Sequence, residues 1–100
     1  MYYLSFLFHL YQPPTQLGFV VDRITEECYR PLTDLFTSSL APRFTVNINY
    51  SLTELLLQRS HHDVLENLKS ALNAGNLEFV DSGAYHPIFP LIPESEVIRQ

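Results

Sequence analysis

The chain has 100 residues, of which 46% are hydrophobic and 17% are charged, and its formal net charge is −5 at pH 7. This composition excludes an intrinsically disordered chain and a second domain of normal size. The excess of negative charge argues against nucleic-acid binding and against docking to an anionic membrane, because both need clustered Lys and Arg. We therefore expect neither nucleic acid nor a membrane as a partner.

Two further features bear on the compartment. Cys28 is the single cysteine, so the chain cannot form an internal disulfide. The apolar segment 2–10 lacks the basic flank and the cleavage site of a secretory leader. It is also shorter than the roughly 20 residues that a membrane-spanning helix needs. Together they predict a cytoplasmic protein.

The first predicted elements are a buried strand and a long helix. Residues 2–10 are nearly continuously apolar and stop before a Gln-Pro-Pro loop, as is typical of a strand in a parallel sheet. Over residues 22–39 apolar side chains recur at helical spacing, and this periodicity places Cys28 on the apolar face, in the core. Pro31 lies inside the run and should kink the helix or divide it into two pieces.

Strands and helices alternate through the rest of the chain. The patterns predict strands at 44–49 and 77–81 and helices at 51–58, 60–74 and from 94 onward. Ser51 and Glu54 have the capping-box spacing, which makes Ser51 the expected N-cap, and Gly75 is suited to end the helix before it. The resulting order, β-α-β-α-α-β-loop-α, predicts an α/β fold with a parallel sheet. Because the last helix shows no stop signal before Gln100, we expect residues 1–100 to be truncated from a longer domain.

One face of each predicted strand becomes polar toward its carboxyl end. Alternation places His9, Asn47, Asn49 and Glu78 on this face, opposite the apolar side chains that helices should cover. Ligands of parallel α/β folds bind at the carboxyl ends of strands, so these residues are candidates for a binding site. Simpler roles stay open: His9 as a hydrogen-bonded core residue, the asparagines as caps of the next turn, and Glu78 as a surface carboxylate.

Four segments, in order along the chain, resemble the N-terminal part of glycoside hydrolase family 57. The first resembles the His-x-His-Gln-Pro signature after strand one, and the third resembles a Gly-x-x-Glu strand signature. The segments are His9-Leu-Tyr-Gln12-Pro13, Phe44-Thr-Val-Asn-Ile-Asn49 with Ser51-Leu-Thr-Glu54, Gly75-Asn-Leu-Glu78-Phe-Val, and Tyr85-His86-Pro87-Ile-Phe-Pro90-Leu-Ile-Pro93. One departure is plain: Tyr11 stands where the family has its second histidine.

The resemblance implies an incomplete (β/α)7 barrel, of which residues 1–100 would form the N-terminal portion as a parallel β-α-β-α-α-β fragment. It implies a retaining glycosidase or glucanotransferase that acts on α-glucans or other oligosaccharides. The catalytic carboxylate pair of the family comes from later strands, so we expect no catalytic residue in this chain and no turnover by it. The implied substrate-binding residues are His9, Tyr11, Gln12, Asn49, Glu78 and His86. His86 could equally serve in packing the loop.

No metal or other cofactor is implied. His61 and His62 are adjacent on a predicted helix, so their side chains point about 100° apart and cannot easily bind one ion together.

Two other functions are compatible with parts of the sequence. A polysaccharide deacetylase-type barrel would need an Asp-Asp pair near strand one and a His-x-x-x-His pair, and neither is present in these residues. A non-catalytic carbohydrate-binding or interaction module would explain a short chain without a nucleophile. Whatever the function, a sheet of three strands leaves two unpaired edges that can hydrogen-bond to another copy, so we expect the chain to self-associate.

Overall fold

The computed structural model describes residues 1–39 and 42–100. Its elements follow the predicted alternation of strands and helices. They are β1 (Leu7–Leu10), α1 (Gly18–Ile24), a π-helical turn (Thr25–Tyr29), α2 (Arg30–Thr37), β2 (Phe44–Ile48), α3 (Tyr50–Gln58), α4 (His62–Asn73), β3 (Leu77–Phe79), a 3-10 turn (Phe89–Leu91) and α5 (Glu94–Arg99). The three strands form one sheet in the order β1-β2-β3, with both neighbouring pairs parallel. The predicted α/β class is confirmed.

The register of the sheet decides which side chains share a level. His9 of β1 is opposite Asn47 of β2, and Thr45 of β2 is opposite Glu78 of β3. Side chains on one strand alternate between faces, so His9, Asn47, Thr45 and Glu78 lie on the same face of the sheet. Glu78 is two residues nearer the amino edge than His9, which corresponds to about 7 Å along the strands.

The opposite face of the sheet packs against the helices. Phe36 of α2 is fully buried, and its ring lies 5.6 Å from that of Phe8 and 5.1 Å from that of Phe44. Aromatic pairs at these separations add to the area that they bury. The other buried members of this core cluster come from the same strand face and from the π-helical turn, α3 and α4; they are Leu10, Tyr29, Val46, Leu52, Leu56, Val64, Leu68, Ala71 and Leu77.

The predicted division of the helix near Pro31 takes the form of a π-helical turn, which ends directly before α2 begins. Proline lacks the N–H group that would donate to the preceding turn, and Pro31 lies among the first residues of α2, directly after the π-helical turn. The prediction that Cys28 lies in the core is wrong, because its side chain is exposed. A π-helical turn advances fewer degrees per residue than an α-helix, so the apolar stripe shifts and Thr25 and Tyr29 take the buried positions instead.

The prediction that Ser51 caps a helix is also wrong. The helix α3 begins at Tyr50, with Asn49 at the N-cap position, and no side-chain cap bond is present. Ser51 is fully buried, and its hydroxyl donates a 2.9 Å hydrogen bond to the carbonyl oxygen of Gln12. The expected end of α4 is confirmed, since Gly75 has a φ of +78°, a conformation that favours glycine.

Ion pairs connect the helices on the outer surface. Asp22 of α1 accepts hydrogen bonds from Arg59, after α3, and from the Nε2 atom of His61 at 2.7 Å. Arg30 of α2 contacts Asp63 of α4, with an Nε–Oδ2 distance of 2.6 Å.

Among residues 1–39 and 42–100, no helix is long and apolar enough to cross a membrane.

Candidate functional site

Three aromatic rings meet on the open face of the sheet, at its carboxyl edge. His9 is the third residue of β1, Tyr11 follows that strand, and His86 comes from the loop after β3. The ring centroids are 4.8 Å apart for His9 and His86, 5.2 Å for Tyr11 and His86, and 6.3 Å for His9 and Tyr11. We call these residues the three-ring cluster. His9 and His86 are exposed and Tyr11 is half-buried, so the cluster can be reached from solvent.

Asn47 holds His9 from the neighbouring strand. The Nδ1 atom of His9 lies 2.7 Å from the Oδ1 atom of Asn47. The Nδ2 atom of Asn47 donates a 2.9 Å hydrogen bond to the carbonyl oxygen of Val80, just after β3. This one amide therefore connects all three strands at the level of His9.

The backbone of His86 is in the left-handed region, with a φ of +60°. Residues other than glycine rarely adopt this conformation, and it costs about 1 kcal/mol or more. The loop holds it there, since the amide of His86 donates to the carbonyl oxygen of Gly83 at 3.0 Å. At Gly83 a Cβ atom would lie 2.6 Å from the ring of Pro87, so this close turn requires glycine.

Asn49 fixes the same loop to the sheet. Its side chain is 1% exposed, and its Nδ2 atom donates to Ser82 Oγ and to the carbonyl oxygen of Gly83, both at 2.9 Å. Its Oδ1 atom is buried without a hydrogen-bond partner among the described residues. A third hydrogen bond joins the backbone of the two segments, since the amide of Ser51 donates to the carbonyl oxygen of Ala84 at 3.0 Å. Asn49 therefore positions the loop that carries His86.

Gln12 lies behind Tyr11 and is buried. Its Nε2 atom donates to the hydroxyl oxygen of Tyr29 at 3.0 Å, and its Oε1 atom accepts from Gln16 at 2.8 Å. Burial raises the pKa of the Tyr29 hydroxyl, so this group stays protonated and can donate as well as accept. Both ends of the Gln12 amide are thus used within the protein, and a direct ligand contact by Gln12 stays a prediction.

Glu78 lies apart from the three-ring cluster. It is exposed and lines a hollow of about 190 Å³ near the amino edge, together with Arg43 and Thr45. A separate, open cleft of about 490 Å³ lies beyond β2 and β3 and is lined by residues such as Tyr50 and Asp81. None of the six predicted site residues lines this cleft. We take the three-ring cluster, rather than the larger cleft, as the candidate site, because the cluster combines polar ring atoms with exposure to solvent.

The structure thus brings together three of the six predicted residues, His9, Tyr11 and His86. It places two more, Gln12 and Asn49, as buried supports, and it leaves Glu78 nearer the amino edge. Within the described residues, no group of three or more His, Cys, Asp and Glu side chains could hold a metal ion. Alternation along the strand places Asn47 on the correct face, but its contact with His9 depends on the register between β1 and β2, which the sequence does not specify.

Comparison with known proteins settles the family. The model of glycosyl hydrolase family 57 matches residues 8–100. The chain belongs to this family. The match decides against the deacetylase-type barrel considered above. It confirms the resemblance from sequence, while the role of each site residue stays a prediction.

Several family 57 relatives align with nearly the whole chain. It is 36% identical over 99 residues to "Alpha-amylase 1" of Dictyoglomus thermophilum, with 98% of this chain and 14% of the relative covered. It is 30% identical over 99 residues to an "Alpha-amylase" of Pyrococcus horikoshii, with 97% of this chain and 16% of the relative covered. The chain therefore spans about one seventh of the length of these curated relatives.

A solved structure shares the fold. The crystal structure of the 4-alpha-glucanotransferase from Thermococcus litoralis superposes with a TM-score of 0.87 at 27% identity. The superposition covers 96% of this chain and 15% of that enzyme. The β-α-β-α-α-β arrangement is therefore that of part of a larger family 57 structure.

Proposed function

We propose that residues 1–100 form the N-terminal portion of a family 57 (β/α) barrel that acts on α-glucans with retention of configuration. In this proposal the chain supplies part of the sugar pocket and none of the catalytic carboxylates. The family match and the names of the relatives support the class of enzyme. The observation that carries the pocket is the three-ring cluster, which lies at the carboxyl edge of a parallel sheet, where barrel enzymes bind their substrates.

The chemistry of the cluster suits a sugar. The rings of Tyr11 and His86 offer flat surfaces on which the C–H face of a pyranose can pack, and the Tyr11 hydroxyl can donate or accept a hydrogen bond. The ring of His9 is fixed by Asn47 at Nδ1, which leaves Nε2 for the ligand. Glu78 lies about 7 Å nearer the amino edge on the same face, so in this proposal it contacts the part of the sugar that reaches deepest.

The carboxylates of Glu78 in β3 and of Asp81 just after it do not form a retaining pair in this proposal. Retaining enzymes place two carboxyl groups about 5–5.5 Å apart, on either side of the scissile bond. Glu78 and Asp81 line different cavities, which argues against their acting together. We therefore expect the chain alone to bind sugar without cleaving or transferring it.

The test is a titration of the 100-residue chain with maltotriose, followed by NMR. We expect chemical-shift changes that concentrate on the three-ring cluster, and we expect His9→Ala to weaken binding by about tenfold, the loss of one good hydrogen bond. His62→Ala is the matched control, because His62 is exposed on α4 and makes no contact with the cluster. Equal weakening by both variants, or shifts elsewhere on the surface, would contradict the proposed pocket. Detectable release of glucose would contradict the absence of catalysis.

A further inference from the structure

We infer that Asn47 is a positioning residue that fixes the tautomer of His9, with the proton on Nδ1 and a free lone pair on Nε2. The pocket would then present a hydrogen-bond acceptor at this point, so it would take a ligand group that donates, such as a sugar hydroxyl. The identity of the ligand rests on the proposed function, whereas the state of His9 does not.

The first step concerns the orientation of the Asn47 amide. The side chain is 6% exposed, so its polar atoms must find partners within the protein. The carbonyl oxygen of Val80, 2.9 Å from Nδ2, can only accept a hydrogen bond. The NH2 group of Asn47 must therefore face β3, and its Oδ1 atom must face β1.

The second step concerns the ring of His9. An amide oxygen can only accept, so the Nδ1 atom of His9, 2.7 Å from Oδ1, must be the donor. A neutral imidazole has one N–H group, and when Nδ1 carries it Nε2 is an acceptor. Asn47 thus acts on His9 as outer partners act on metal-binding histidines, where the hydrogen bond at one nitrogen decides what the other nitrogen can do.

The third step concerns access to Nε2. The ring of His9 is exposed, and its other neighbours in the cluster, Tyr11 and His86, contact it through their rings. Among the described residues, no side chain hydrogen-bonds to Nε2, so a ligand can use it. A hydroxyl donates to such a lone pair, whereas a carboxylate or a ketone oxygen would meet it with a lone pair of its own. The geometry therefore selects for a hydroxyl at this point of the pocket.

The tautomer can be measured directly in the 100-residue chain without any sugar. Long-range ¹H–¹⁵N spectra distinguish a protonated ring nitrogen from an unprotonated one, at a pH well above the ordinary imidazole pKa of about 6.5. We expect the Nδ1–H form for His9. His62 serves as an internal reference, because an exposed imidazole favours the Nε2–H form. An Nε2–H form for His9 in the unsubstituted chain would overturn the inference without any variant.

Two substitutions of Asn47 separate positioning from packing. Asn47→Leu has a similar shape and no acceptor, so we expect the His9 spectrum to move toward that of His62. Asn47→Asp keeps an acceptor beside Nδ1 but loses the donor to Val80, so at a pH where the imidazole is neutral we expect it to retain the Nδ1–H form. An unchanged His9 spectrum in Asn47→Leu, with helical amide shifts that show an intact fold, would overturn the inference.

Maltotriose binding then tests the consequence for the ligand. We expect Asn47→Leu to weaken binding by about tenfold and Asn47→Asp to weaken it less. If Asn47→Leu changes the tautomer but not the affinity, the hydroxyl acceptor role is wrong. If the unsubstituted chain has the Nδ1–H form but binds no maltotriose, the proposed function fails while the positioning role of Asn47 is supported.

Discussion

The two faces of the sheet are built from the same strands and differ in almost every other respect. One face is covered by helices and packs Phe8 and Phe44 around the fully buried ring of Phe36. The other face is uncovered and carries His9 and Glu78, both exposed. Because side chains alternate along a strand, each residue of β1 and β3 serves either the core or the open face. The apolar core and the exposed polar side chains therefore lie on opposite sides of one layer.

Asn47 is the exception that explains how the open face keeps its shape. It belongs to the open face but is buried, and both ends of its amide are hydrogen-bonded. A buried polar group left without a partner costs about 1–3 kcal/mol, so such residues hold their position firmly. The open face is therefore ordered by hydrogen bonds, whereas the covered face is ordered by packing.

The largest effect is expected on the covered face. Phe36→Ala removes a fully buried ring that contacts two others, and we expect a loss of about 3–5 kcal/mol in the free energy of unfolding. Urea denaturation followed by circular dichroism measures it. Since this loss approaches the whole stability of a small domain, Phe36→Leu provides a milder version, with an expected loss of about 1–2 kcal/mol.

The control for this prediction is the neighbouring residue on α2. Leu35 is 49% exposed, so Leu35→Ala removes a similar amount of apolar side chain from the outer surface. We expect a loss below about 1 kcal/mol. Comparable losses for Phe36→Leu and Leu35→Ala would mean that the covered face is not the core that the structure describes.

The next largest effect is expected where the loop joins the sheet. Asn49→Ala removes a buried hydrogen bond to Gly83 and a partly buried one to Ser82, and we expect a loss of about 1–3 kcal/mol in the free energy of unfolding. Because the same bonds position His86, NMR shifts of the three-ring cluster should change as well. Asn73→Ala, at an exposed position on α4, should change neither quantity. Unchanged NMR shifts of the three-ring cluster in Asn49→Ala would show that other contacts hold the loop in place.

The fold could be predicted from sequence to the extent that it depends on local periodicity. Alternation over 44–49 and the helical stripe before Gly75 gave the correct element types and nearly the correct ends. The π-helical turn could not be predicted in this way, because α-helical periodicity assumes the same rotation per residue along the whole helix. The error at Cys28 follows from that assumption.

For the candidate site, the sequence could predict which residues belong to it but not which of them contact each other. His9 is predictable because a polar residue near the carboxyl end of an apolar strand suggests a functional role, and His86 is predictable from the family resemblance. The contact between His9 and Asn47 spans 38 residues and depends on strand register, which no local pattern encodes. The prediction for Ser51 is wrong for a related reason, since its hydrogen-bond partner, the carbonyl oxygen of Gln12, lies 39 residues away in sequence.

A smaller effect is expected on self-association. We propose that the β1 edge pairs with a second copy, because Leu7 is 60% exposed and its strand has a free edge in the sheet order. Leu7→Lys should weaken association by about tenfold in sedimentation velocity, since a charge would replace apolar area. Ile98→Lys, at an 80% exposed position on α5, is the matched control. A monomer at micromolar concentration in the unsubstituted chain would contradict this prediction outright.

The smallest effect is expected on the outer surface, where packing and pocket chemistry play no part. Arg59 and then His61 hold the pKa of Asp22 well below its ordinary value of 3.8. A carboxyl group whose pKa is lowered by folding stabilises the folded state above its unfolded pKa and loses that contribution as the pH falls through the lower, folded value. The midpoint temperature of thermal unfolding should therefore decrease as the pH is lowered below about 4. Asp22→Asn should lower the midpoint slightly at neutral pH and flatten its decline in acid. Glu66→Gln changes the net charge equally at an exposed position on α4 and should leave the acid decline unchanged. If both variants have the same acid profile, the Asp22 pairs contribute nothing measurable to stability.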